Sequence, residues 1–122
     1  MARRDLTGAV DFSHLESYAA GDGALIDEVL SMFREQAALW VRLLDPFGPH
    51  DGWRDAAHTL KGASLGIGAF RLAEICGSAE LAADAEPGSK AVQLDRIRDV
   101  LDAALSDIAA YLHERALQSL KG

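Results

Sequence analysis

The sequence is poor in cysteine, aromatic residues and positive charge, and it has no long apolar run; each shortage removes a class of protein. Cys76, the single cysteine, cannot form an internal disulfide, and with the four histidines it does not reproduce the ligand spacing of a zinc site. No charged, apolar and small segments succeed one another at the start as in a secretory leader. No apolar stretch approaches the roughly 20 residues needed to span a bilayer. A cytoplasmic protein with no membrane partner is therefore expected. Lys and Arg number 12 against 19 Asp and Glu, and no basic stripe offsets the balance, so the phosphate backbone of a nucleic acid is an unfavourable partner. With aromatics at 7% and Ala and Leu abundant, the composition favours helices over a sheet, and the fold class expected is all-α.

The hydrophobic fraction, 49% of 122 residues, is enough for one core, and the chain reads as a single domain over 1–122. Residues 1–10, including Arg3, Arg4, Thr7 and Gly8, have no sustained apolar period and read as a flexible leading arm. Asp11 then caps a short helix with Phe12, Leu15, Tyr18 and Ala19 on one side, stopped at Gly21. Asp22 caps a second helix, in which Leu25, Val29, Met32, Phe33, Gln36, Trp40, Leu43 and Leu44 recur at three- and four-residue steps up to Pro46. Asp51 is the expected N-cap of a third helix through Trp53, Ala57, Leu60 and Ser64 to Gly66. A fourth carries Ala69, Leu72, Ala73, Cys76, Ala79 and Ala83 and closes at a Glu86-Pro87-Gly88-Ser89 turn. The last is long, with Leu94, Ile97, Leu101, Leu105, Ile108, Tyr111 and Leu112 in register. Short connections between long amphipathic helices predict an up-down antiparallel four-helix bundle with the short N-terminal helix packed across it. A helical hairpin completed by dimerisation is the competing architecture.

On a wheel at about 100° per residue, Trp53, Ala56, Ala57, Leu60, Ala63, Ser64 and Ile67 share one arc, the core face of the third helix. His58 falls roughly 160° from the centre of that arc, beside Arg54, Lys61, Gly62 and Leu65, and should face solvent. A solvated imidazole, with an unperturbed pKa near ~6.5, is largely neutral at cellular pH and keeps a lone pair able to attack phosphorus. Lys61, one turn on, can bring an ammonium to phosphoryl oxygens as charge accumulates. Gly62 costs a helix interior about 1 kcal/mol relative to alanine, and its place on the solvent face beside His58 suggests clearance for an approaching protein. Leu65, an apolar residue on the same face, suits a docking surface. A lone helical histidine is ordinarily just a surface residue; the neighbours of His58 reverse that reading.

Ala57-His58-Thr59-Leu60-Lys61-Gly62-Ala63-Ser64, then Ile67-Gly68-Ala69, Leu72, Cys76 and Glu80-Leu81, resembles the pattern of the histidine phosphotransfer (HPt) family, over most of the chain from about Leu25 to Leu112. Ala63 stands where serine is also common in the family. The resemblance implies a phosphoryl carrier in a multistep phosphorelay with no catalytic activity of its own: His58 accepts the group from the aspartate of one receiver domain and passes it to another, Lys61 assists it and Gly62 gives access. It implies response-regulator receivers and a hybrid histidine kinase as partners, with Arg54 and Leu65 on the docking face, and a monomer. It implies no cofactor or metal in this chain, Mg²⁺ belonging to the receiver. Two other roles fit the same residues: a freestanding phospho-accepting module for a chemotaxis-type kinase, since the chain has no Gly-rich nucleotide loop, and an adaptor that binds receivers without transfer. His14, His50 and His113 lack the Lys and Gly context and read as structural. Cys76 reads as a buried thiol, and Phe33 and Trp40 as core residues.

Overall fold

The computed structural model describes residues 6–121, and among them every regular element is a helix: α1 (Phe12–Tyr18), α2 (Gly23–Leu43), α3 (His50–Ile67), α4 (Phe70–Leu81) and α5 (Pro87–Lys121). Helices α2 to α5 pack in sequence, α5 closes back on α2, and α1 lies against α3. The connections are too short for anything but antiparallel neighbours. Arg115 near the end of α5 accordingly meets the start of α2, its Nη2 donating to Gly23 O at 3.0 Å and its Nε pairing with Asp27 at 2.9 Å. The result is the expected bundle with a short helix across one end. One apolar cluster draws on all five helices, with Leu15, Leu30, Trp53, Leu60, Leu72, Cys76, Ile97 and Ile108 almost wholly buried.

Several boundaries follow the local signals. Asp11 accepts from His14 N at 3.3 Å and Asp22 from Leu25 N at 3.1 Å, each satisfying an otherwise unpaired amide of a first turn. Gly68 ends α3 at a φ of 88°, the left-handed conformation that L side chains resist. Its carbonyl also accepts from Asp11 N at 2.9 Å, so one residue both stops α3 and seats the start of α1.

Other expectations need correcting. Asp51 is not the N-cap of α3: the helix begins at His50 behind an extended Pro49, and Asp51 sits in the first turn, where its charge faces the positive helix end. Pro87 does not close α4 but opens α5, because a proline at the first helical position gives up an amide that has no intrahelical partner anyway. On α2 the buried stripe is Ile26, Leu30, Phe33 and Ala37, one position away from most of the predicted stripe, of which Leu25 (38%), Met32 (48%) and Leu43 (49%) are exposed. The helix is apolar on two adjacent faces, both with helical period, and only the neighbouring helices decide which is covered. Residues 6–10 of the proposed arm are not free. Buried Asp107 on α5 accepts from Thr7 N (2.8 Å), Thr7 Oγ1 (2.9 Å) and Ala9 N (3.1 Å), and Val10 enters the core. Residues 1–5 lie outside the described residues.

Candidate functional site

Helix α3 presents its residues as the wheel requires. Trp53, Ala56, Ala57, Leu60, Ser64 and Ile67 are buried, and Ser64 Oγ satisfies itself by donating to Leu60 O at 2.7 Å. Trp53 locks the helix to α4 through Nε1, which donates to Ala79 O at 2.8 Å. With α3 held this way, the His58 side chain emerges on the opposite face, 67% exposed. Gly62 is also exposed, and a Cβ placed there would meet nothing within 4 Å, so no contact inside the chain demands a glycine.

The residue that shapes the site comes from α4. Glu80 Oε2 lies 2.9 Å from His58 Nδ1, and its Oε1 lies 3.2 Å from Lys61 Nζ. Burial works to raise the Glu80 carboxyl, but the hydrogen bonds and charges of Lys61 and His58 outweigh it and hold the group below its ordinary 4.5. An ionised carboxylate can only accept, so the bond to Nδ1 requires that nitrogen to carry the proton. In the neutral ring Nε2 then holds the lone pair, so Glu80 sets the tautomer of an exposed imidazole that is chemically able to act as a nucleophile.

His58, Lys61 and Gly62 thus come together as expected, with Glu80 added. Arg54 is on the same side of α3 but bends back to Asp51 at 2.7 Å. Leu65 is 46% exposed. A separate apolar groove opens between α1, α2 and α3, lined by Tyr18, Val29, Met32, Ala63 and Gly66. His14 borders it and meets Phe70 edge-on at 5.2 Å; His14, His50 and His113 are all surface residues. Cys76 is buried, and burial pushes its thiol up to about 12. Among the described residues no three His, Cys, Asp or Glu side chains converge on a point able to hold a metal ion. Glu80 appeared in the sequence only as part of a pattern. The available signal was its register: His58 lies ten residues before the Gly68 turn and Glu80 twelve after it, which sets them level on antiparallel helices.

The family model of the Hpt domain matches residues 24–111. Among solved structures, the chain is similar to histidine phosphotransferase ShpA from Caulobacter crescentus, with 57% sequence identity and a TM-score of 0.76; the match covers 93% of this chain and 99% of that one. No curated protein matches the chain significantly.

Proposed function

The chain belongs to the Hpt domain family, and from that premise we propose that it relays phosphoryl groups between receiver-domain aspartates through a phosphohistidine at His58. The observation that carries this reading is the bond from His58 Nδ1 to the Glu80 carboxylate, which leaves the lone pair on Nε2 of a side chain that is 67% exposed. In the forward step the Nε2 lone pair forms a bond to the phosphorus of an aspartyl phosphate, the phosphorus–oxygen bond to the aspartate breaks, and the carboxylate leaves with that electron pair. Nδ1 keeps its proton, the ring acquires positive charge, and Glu80 faces that charge at hydrogen-bond distance. The return step reverses the same bonds. Lys61 lies close enough to exchange part of its pairing with Glu80 for the phosphoryl oxygens. Gly62 leaves the approach open, and exposed Leu65, together with the groove between α1, α2 and α3, offers a receiver apolar surface to cover. In this reading the receiver's acidic pocket brings the Mg²⁺, and a histidine kinase, hybrid or not, belongs to the same relay.

The test is to mix the protein and a His58→Gln variant with a panel of phosphorylated receiver domains and follow acid-labile label. Label on the wild type alone, with unchanged helicity in the variant, is the expected result. Binding of receivers with no label on either protein would discard the relay in favour of an adaptor.

A further inference from the structure

Gly77 stands on the side of α4 turned towards α3, one turn before Glu80, and a Cβ built on it would lie 3.3 Å from Lys61 Cδ, closer than ordinary van der Waals contact. The lysine stem therefore occupies the space that a side chain at 77 would take. Nothing else in the fold asks for glycine there: its φ is not positive, and beyond its own helix backbone and chain neighbours only Lys61 comes within 4 Å of that Cβ. A glycine in a helix interior is unfavourable by about 1 kcal/mol relative to alanine, so the position has a cost without a backbone reason. The stem that crosses Gly77 ends at Nζ, 3.2 Å from Glu80 Oε1, and the other oxygen of the same carboxylate holds His58 Nδ1.

We propose that Gly77 is a positioning residue for the phosphoryl site: by leaving α4 bare at that level, it seats the Lys61 stem against the helix and delivers its ammonium to Glu80 and to the phosphoryl group on His58. The inference rests on the reading of His58 as the phosphoryl carrier. Gly77 touches no reacting atom and acts through Lys61 alone. An added Cβ pushes the stem outward by a few tenths of an ångström, and a longer side chain displaces it altogether. Helix propensity and site geometry then pull in opposite directions, since alanine favours α4 while disturbing Lys61.

The test uses Gly77→Ala and Gly77→Leu, each in the wild-type and the Lys61→Ala background. Two quantities are read: the titration midpoint of the Glu80 carboxyl by carbon NMR, and the half-life of phosphohistidine loaded on His58 with phosphoramidate, a small donor that needs no receiver. In the wild-type background we expect the Glu80 midpoint to rise towards 4.5 and the half-life to shorten severalfold, more for leucine than for alanine, while Gly77→Ala melts no lower than wild type. With Lys61 already alanine, neither substitution should change either quantity. A midpoint or half-life that stays put in the wild-type background, or an equal effect without Lys61, overturns the proposal. Failure of receivers to exchange label with the wild type would count against the relay instead, and both readouts would still report on Gly77.

Discussion

At His58 a single hydrogen bond selects which ring nitrogen is free, and that selection depends on a residue 22 positions away on another helix. Removing it in Glu80→Ala leaves the imidazole untethered, and nitrogen NMR should record a shift from the Nδ1–H tautomer towards Nε2–H, the form free imidazoles usually prefer. Phosphoryl uptake should slow severalfold, because a smaller share of the neutral ring then presents Nε2 unprotonated. An unchanged tautomer in the variant would remove Glu80 from the site. The pH dependence has a definite sign. Because the folded Glu80 carboxyl is held below its ordinary 4.5, its contacts with His58 and Lys61 are in force above that value and are lost as pH falls through the lowered one.

Gly62 within α3 and Gly68 at its C-cap differ sharply in the room they leave for a side chain. Gly68, at a φ of 88°, would bring a Cβ to 2.5 Å from the Asp11 carbonyl oxygen, so Gly68→Ala combines left-handed strain with a backbone clash. We expect it to destabilise the fold by about 2 kcal/mol or more in denaturant unfolding, loosening α1 along with the α3–α4 turn. Gly62 has open space around its Cα. Gly62→Leu should therefore leave stability equal or higher by up to about 1 kcal/mol, since glycine is the poorer helix former. Its expected loss is in receiver-dependent transfer, and transfer at the wild-type rate would remove the access role of Gly62.

Over the whole molecule, the end of the bundle beside the groove is held by a long-range ring stack and a long-range hydrogen bond. Phe12 stacks on Tyr111 with ring centres 4.1 Å apart, and the Tyr111 hydroxyl donates to Glu16 at 2.6 Å. Burial and the Glu16 carboxylate push the Tyr111 phenol up to about 12 from an ordinary 10.0. A raised folded value means that this contribution to stability is complete below 10.0 and disappears as pH rises through about 12. An absorbance titration of the two tyrosines should show one ionising near 12, together with release of α1, and Tyr111→Phe should abolish that late step.

Helix count, the core face of α3 and the exposure of His58 beside Lys61 and Gly62 were all legible in the residue order. They depend on 3.6-residue periodicity and on caps, which are local properties of the chain. The covered face of α2 was not legible, because Leu25, Val29 and Met32 repeat as regularly as Ile26, Leu30 and Phe33, and burial goes to whichever stripe α3 and α5 meet. Buried Asp107 and its tie to Thr7 and Ala9 were hidden because they join residues about a hundred positions apart. Buried Lys90, its ammonium 5.3 Å from the centre of the Trp53 ring, was likewise hidden among the charges of α5. The same holds for the site. The chain order places the imidazole, the ammonium and the bare glycine on one helical face, whereas the partner of Nδ1 and the path of the Lys61 stem exist only once the Gly68 turn brings α4 alongside α3.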